Sequence, residues 1–311
     1  MSTGKTPGKR EVALIAGPTA SGKSDSAVNL ALALQQAGRK AVVINADSAQ
    51  VYADLCILSA RPTKDDMQGI AHRLFGSWDG AQACSAADWA AQAKREIANA
   101  HAAGALPILV GGTGLYIRTL LDGIAPIPEI DPAIREEVRA LPVETAYAQL
   151  QRADPERAAK LAPADRQRIT RALEVVRSTR RTLGQWQLRR EGGIAAQISL
   201  CPLVLLPERE TVYARCDARF AAMVEAGALE EVATLLARKL DPELPVMRAI
   251  GVPELAEVIA GRLTMADAII NAQRATRNYA KRQFTWLRHQ LPEGWPRAEP
   301  KNVDLGTYFE I

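Results

Sequence analysis

A chain of 311 residues, 48% hydrophobic and 24% charged, has the make-up of a folded globular protein and excludes a disordered, collagen-like or coiled-coil chain. The four cysteines (Cys56, Cys84, Cys201, Cys216) form no C-x-x-C pair and there are only three histidines, which argues against a zinc site or a disulfide framework. No apolar run reaches the roughly 18 residues of a membrane span, and the polar, basic start lacks a signal-peptide core, so a cytoplasmic protein with no membrane partner is expected.

Val12–Ala16 is a short apolar run that leads into Gly17-Pro18-Thr19-Ala20-Ser21-Gly22-Lys23-Ser24, after which Ala27, Leu30, Ala31 and Leu34 recur with helical spacing. Strand, G-x-x-x-x-G-K-S and helix in that order is the context a P-loop requires. Gly17 and Gly22 let the backbone wrap so that successive N–H groups face one concavity, reinforced by the helix N-terminus. Lys23 supplies a point charge to terminal phosphates, and the Ser24 hydroxyl is placed to meet Mg²⁺.

A second strand, Ala41–Ala46, ends on Asp47-Ser48-Ala49-Gln50, and a third, Leu106–Val110, ends on Gly111-Gly-Thr-Gly114 before a helix at Leu115–Leu121. Ligands of parallel α/β sheets sit beyond the carboxyl ends of the strands, so Asp47 and Thr113 are expected on one rim with the P-loop. Ser85-Ala-Ala-Asp88 reads as a capping box opening an alanine-rich helix. Spacing leaves the role of Asp47 open between a Mg²⁺-shell acid, as in P-loop ATPases and kinases, and a base that deprotonates a nucleophile. The third strand ends in glycine rather than an acid, which weakens the ATPase reading.

From Pro126 to Gln197 the strand signals vanish. Asp131-Pro132 opens one helix and Pro163 precedes another over Arg166–Leu183, with Ile169, Leu173 and Val176 on its apolar stripe. The fold expected is α/β: a P-loop parallel sheet with flanking helices, in two parts (1–125 and 198–311), interrupted by an all-helical insertion at 126–197. Ile198–Leu206 returns to the sheet, and Val212, Cys216, Phe220 and Met223 form the buried stripe of the next helix. On that helix Arg215 and Arg219 stand one turn apart, suited to clamping a diphosphate.

The net charge of +4 conceals clustering. Arg166–Arg190 holds eight arginines and one acid, and Arg274–Arg288 holds five basic residues and no acid. These stretches carry +7 and +5, which leaves the remainder at −8, a distribution suited to a phosphate-rich partner.

The blocks GPTASGKS (17–24), DSAQVY (47–52), SAADW (85–89), LPILVGGTGLYIRTLLDG (106–123), QRITRALEV (167–175), RETVYARCDARFAAMVEAG (209–227) and TRNYAKRQFTWLR (276–288) together resemble the bacterial tRNA dimethylallyltransferases. The resemblance implies transfer of a dimethylallyl group from dimethylallyl diphosphate to N6 of the adenine 3′ to the anticodon of tRNA. It also implies a need for Mg²⁺, held at Ser24. In that picture Asp47 is the general base, and Thr19 lies near the bridging oxygen. Lys23, Arg215, Arg219 and the P-loop (Gly17, Pro18, Thr19, Ala20, Ser21, Gly22, Lys23, Ser24) stabilise the leaving diphosphate.

The resemblance further assigns tRNA contacts to Asp47, Ser48, Ala49, Gln50, Thr113, Arg135, Gln167, Arg168, Ile169, Thr170, Arg171, Arg248 and Gly251, and the insertion becomes the arm that grips the anticodon stem-loop. A monomer is expected. Two segments depart from the family pattern: Ile57-Leu-Ser-Ala-Arg-Pro62 replaces I-G-T-A-K-P, and Ile250-Gly-Val-Pro253 replaces I-G-Y-R/K. The rival readings are a P-loop small-molecule kinase, an adenylate prenyltransferase and an RNA-binding ATPase.

Overall fold

Strands β1 (Arg10–Ala16), β2 (Lys40–Asn45), β3 (Ala71–Arg73) and β4 (Ala105–Gly111) arise in the first third of the chain, and β7 (Ile198–Leu205) and β8 (Arg297–Ala298) after the insertion. Two further strands, β5 (Gly123–Ile124) and β6 (Glu191–Gly192), lie at its ends. The structure is a computed structural model that describes residues 10–300 and 303–309. It resolves into two units, Met1–Leu120 with Ala195–Ile311, and Leu121–Ile194.

The first unit is built on a six-stranded parallel sheet in the order β3-β2-β4-β1-β7-β8. Val12 to Ala16 are all at most 1% exposed, because helices cover both faces of the sheet, and this is why β1 reads as an unbroken apolar run rather than an alternating one. On one face the Lys23–Gln36 helix buries Ala27, Leu30, Ala31 and Leu34 among Ile15, Val43 and Ile108. The Ala86–Ala102 helix opens with the expected Ser85/Asp88 capping box. It buries Trp89, which stacks on Tyr116 at 4.5 Å and donates from Nε1 to Asn45 O at 2.8 Å. The Arg209–Glu225 and Met265–His289 helices meet through Val212, Cys216, Ala280 and Phe284.

Register sets the geometry of the site. Ala16 lies opposite Gly111, and Asn45 opposite Val110. The P-loop, the Asp47 turn and the Gly112–Gly114 turn therefore leave the sheet from the same edge.

The second unit packs helices Pro132–Ala140, Val143–Ala153 and Arg166–Thr179 around Val138, Ala146, Leu150, Ile169, Ala172 and Leu173. Three details differ from the sequence reading. The unit runs from 121 to 194 rather than 126 to 197, and it is not wholly helical, because β5 and β6 pair antiparallel and tie its two ends together. The arginine-rich helix stops at Thr179, where Arg180 turns left-handed at φ 58°. A separate short helix, Leu183–Gln187, then starts under its own Thr182/Gln185 capping box.

Candidate diphosphate and acceptor site

The P-loop closes on itself and on two neighbouring elements. Gly17 N donates to Gly111 O at 3.2 Å and Ser21 N to Pro18 O at 3.3 Å. Gly22, at φ 83°, opens the Lys23–Gln36 helix. The Lys23 ammonium is buried and donates to Pro18 O at 3.2 Å. Burial pulls its pKa below the ordinary lysine value, Asp47 works against that, and the Arg219 charge adds to it. Arg219 donates to Thr19 Oγ1, and Arg215 reaches Ala20 O at 3.5 Å. Burial likewise lowers the pKa of Arg219. Lys23, Ser24, Arg215, Arg219 and Asp47 border a polar cavity of about 630 Å³, which gathers three cations beside the P-loop.

Asp47 is 8% exposed and is fixed from behind by Asn45, the last residue of β2. Asn45 Oδ1 accepts from Asp47 N at 2.8 Å and Nδ2 donates to Asp47 O at 3.0 Å. One carboxylate oxygen of Asp47 accepts from Ala49 N at 3.0 Å. Ser48 N donates to Thr113 Oγ1 at 2.9 Å, and that hydroxyl donates to Ser48 Oγ at 3.2 Å. The Asp47 turn and Thr113 thus form one rim, as β2 and β4 require. Gln50 turns inward and clamps the next loop, donating to the carbonyls of Ser59 and Ala60 at 3.1 and 2.8 Å.

Asp47, Thr19, Ser59 and Arg219 also border a second, less polar cavity of about 350 Å³. Its walls include Leu55, Leu58, Phe220, Met223, Ile250 and three tyrosines, Tyr52, Tyr116 and Tyr279. Burial, then the nearby Asp47 charge, raises the Tyr279 pKa, opposed by hydrogen bonds with Thr113 and Ser48. Burial does the same to Tyr116. Both phenols therefore stay neutral donors at physiological pH. Arg248 reaches this cavity while pairing with Glu243. Gly251 sits behind it at φ 97°, packed against Leu58 and Phe220.

The two segments that depart from the family pattern touch through Leu58 and Gly251, but the departing residues themselves are placed differently. Leu58 and Ser59 line the cavity, whereas Val252 is 1% exposed within the core and Pro253 faces solvent at the start of the Val252–Ile259 helix.

Residues that sequence reasoning missed connect these parts. Gln283, 5% exposed on the basic C-terminal helix, accepts from Thr19 N at 2.8 Å and donates to Gly112 O at 3.1 Å. One amide therefore binds the P-loop to the neighbouring turn. A Cβ on Gly112 would lie 2.5 Å from the Gln283 amide nitrogen and from Gly17 O, so the glycine is required by that close approach. A buried amide between Arg282 and Phe284 was the available signal, and Tyr279, one turn earlier, belongs to the same face. Asn45 carried a similar signal as a polar residue closing an apolar strand.

Within the second unit Gln167, Arg168 and Arg171 are exposed, with Arg168 3.5 Å from Asp165 and Arg171 3.7 Å from Glu174. Thr170 and Arg135 are half-buried, and Arg135 Nε has no hydrogen-bond partner. Ile169 is corrected: its side chain is fully buried in the helical core and is closed to any contact with RNA. On the C-terminal helix Arg274, Lys281, Arg282 and Arg288 are exposed, while Arg277 is held by Asp217 at 2.6 Å.

Among the described residues no group of three or more His, Cys, Asp or Glu side chains is assembled to hold a metal ion. Ser24 borders the cationic cavity and offers a single hydroxyl oxygen, enough only for an ion carried mainly by phosphate oxygens and water. That matches the few protein ligands Mg²⁺ takes in phosphate sites.

The family model described as IPP transferase matches residues 50–290. A tRNA dimethylallyltransferase from Erythrobacter litoralis is 63% identical over 97% of this chain and 95% of that protein. One from Novosphingobium aromaticivorans is 68% identical over 85% of this chain and 94% of that protein. Among solved structures, the full-length tRNA isopentenylpyrophosphate transferase of Bacillus halodurans superposes with a TM-score of 0.66 at 30% identity, covering 97% of this chain and 94% of its own. A eukaryotic dimethylallyltransferase acting on tRNA superposes with a TM-score of 0.75 at 28% identity, over 89% of this chain and 70% of that one. With a model match over most of its length, two close relatives and the P-loop sheet in common with solved structures, the chain belongs to the IPP transferase family.

Proposed function

We propose that this chain is a tRNA dimethylallyltransferase, moving the dimethylallyl group of dimethylallyl diphosphate to N6 of the adenine 3′ to the anticodon. The observation that carries the reading is the shared wall. Thr19, Asp47 and Arg219 border both the cationic P-loop cavity and the less polar cavity beside it. The diphosphate occupies the first and the acceptor base the second, so the reacting carbon and nitrogen meet at Asp47.

The exocyclic amine of adenine is a poor nucleophile because its lone pair is delocalised into the ring. Asp47 takes the N6 proton as the C1–N6 bond forms. The allylic C1–O bond breaks, and its electron pair leaves with the diphosphate. Lys23, Arg215, Arg219 and the P-loop amides are placed where that charge grows. Thr19, held by Arg219 and Gln283, faces the leaving oxygen. Ser24 would hold Mg²⁺, which supplies further neutralisation of the diphosphate.

The adenine must leave its stack to enter the second cavity, and the rings of Tyr52, Tyr116 and Tyr279 offer it aromatic surface. The exposed arginines of the arm and of the C-terminal helix supply phosphate contacts to the stem-loop. The enzyme acts as a cytoplasmic monomer.

The test supplies labelled dimethylallyl diphosphate and unmodified tRNA, with ATP as the control donor. Label in tRNA and none from ATP is expected; phosphate transfer from ATP would overturn the reading in favour of a kinase. Asp47→Ala should lose at least about 100-fold in turnover, the low end of general-base effects, while keeping tRNA affinity.

A further inference from the structure

The match to the family model ends at residue 290, yet the chain beyond it returns to the phosphate cavity. β8 pairs with β7 in parallel, with Arg297 opposite Val204 and Ala298 opposite Leu205. Val204 N donates to Pro296 O and Leu206 N to Ala298 O, both at 2.9 Å. Parallel pairing carries the chain toward the carboxyl ends of the strands, the edge from which the P-loop also leaves. Pro300 stands two residues past β8. Among the described residues after Arg219, it alone borders the phosphate cavity.

The proline ring lies across from Gly22, the residue that opens the P-loop helix. A Cβ on Gly22 would lie 3.9 Å from both Cβ and Cγ of Pro300, an ordinary van der Waals separation. The segment is anchored on both sides of that ring. Before it come the β8 ladder and Arg297, whose guanidinium donates to the carbonyls of Leu291, Pro292, Glu293 and Trp295. After it, the Leu305–Tyr308 helix packs on the Lys23–Gln36 helix. Phe309 is buried in the same core as Ala27, Leu30 and Leu34, and the Tyr308 hydroxyl donates to Pro202 O. The ring also fixes the φ of Pro300 itself. A hydrocarbon wall at this point keeps water from one side of the cavity, and charges interact more strongly where water is excluded.

We infer that the C-terminal segment is part of the phosphate site, with Pro300 as the residue that walls the bound diphosphate on the Gly22 side. The inference rests on reading that cavity as the diphosphate site. β8 and the Leu305–Tyr308 helix act through Pro300 by holding it at the rim.

The test measures binding of inorganic diphosphate by calorimetry, in the presence of Mg²⁺, to the full chain and to two variants of opposite charge. Pro300→Glu should weaken binding and Pro300→Lys should strengthen it, with dissociation constants at least about fivefold apart. Lost packing alone would weaken both variants alike, so a smaller ratio would overturn the inference. Glu293→Lys adds positive charge at an exposed position that does not border the cavity, and it should strengthen binding less than Pro300→Lys does. An equal or larger gain would reveal a general field and overturn the inference as well.

Should Pro300→Glu fail to fold, Pro300→Gln takes its place, and its constant must then differ from that of Pro300→Lys by at least about twofold. A wild type that binds no diphosphate would defeat the reading of the cavity itself. Equal binding by the two charge variants of a wild type that does bind it would defeat only the part given to Pro300, so the two failures are separable.

Discussion

Gln283→Leu tests whether one amide joins the P-loop to the turn after β4. The substitution nearly preserves volume, but leucine can neither accept from Thr19 N–H nor donate to Gly112 C=O. An orphaned buried polar group costs about 1–3 kcal/mol. The Gly112 bond is buried and would incur that cost in full, whereas Thr19 borders both cavities and its amide can be rehydrated. The expected loss is therefore about 2–3 kcal/mol, seen as a lower urea midpoint with an unchanged m-value.

Activity should separate in a specific way. Thr19 loses its anchor, so the KM for the diphosphate donor should rise about tenfold, equivalent to about 1.4 kcal/mol, with the KM for tRNA changing less. Gln273→Leu is the control. Gln273 sits on the same helix and donates to Asp217 O at 3.0 Å, so it should lower stability without moving the donor KM. An unfolding free energy for Gln283→Leu within about 0.5 kcal/mol of wild type, the range of ordinary surface changes, would refute the reasoning. So would a donor KM shifted equally by both variants.

Gly112→Ala should be worse than Gln283→Leu in the same denaturation assay, because its Cβ meets the Gly17 backbone as well as the amide. Arg168→Ala should weaken tRNA binding and reduce the slope of log affinity against log salt by about 1, measured by filter binding across a salt series. His72 tests acid stability. Burial lowers its pKa below 6.5 against a weaker opposing hydrogen bond to Ile70 O. On acidification the unfolded chain thus takes up a proton before the folded one. Stability linked to His72 is complete above pH 6.5, declines as the pH falls and is lost through the lower folded pKa. Denaturation between pH 7 and 5 should show a shallower decline for His72→Phe.

The buried strands were legible because burial on both faces writes them as continuous apolar runs: β1, β2, β4 and β7 each stood out, and the P-loop, the Asp47 turn and Thr113 followed from their carboxyl ends. The edge strands were not. β3 is Ala71-His-Arg and β8 is Arg297-Ala, and each pairs on one side only, so neither carries the apolar signature of a covered strand. The helix break at Arg180 was hidden because arginine gives no sign of a left-handed turn; the Thr182/Gln185 box just beyond was its one local cue. Gln283 was invisible for a different reason. Its place depends on Gly17, Thr19 and Gly112, far away in sequence, and spacing along one helix cannot register that convergence. Ile169 was carried with its neighbours as an RNA contact, although its position on the i, i+4, i+7 stripe already marked it as core.

The strand order also dictates a schedule for synthesis. β1 lies between β4 and β7, so a nascent chain can complete one edge of β1 once residue 111 has emerged, while the other edge waits for residues past 198. The whole helical insertion is made in that interval. Its core draws on residues within 121–194 alone, so it can form before β7 exists, and the β5–β6 ladder then brings its two ends side by side. A long floppy connection is thereby replaced by two short tethers, lowering the entropy lost when β7 finds its place. Ribosome-bound chains that have emerged as far as a point between residues 194 and 205 should therefore hold a protease-resistant arm beside a sheet that is still open along β1.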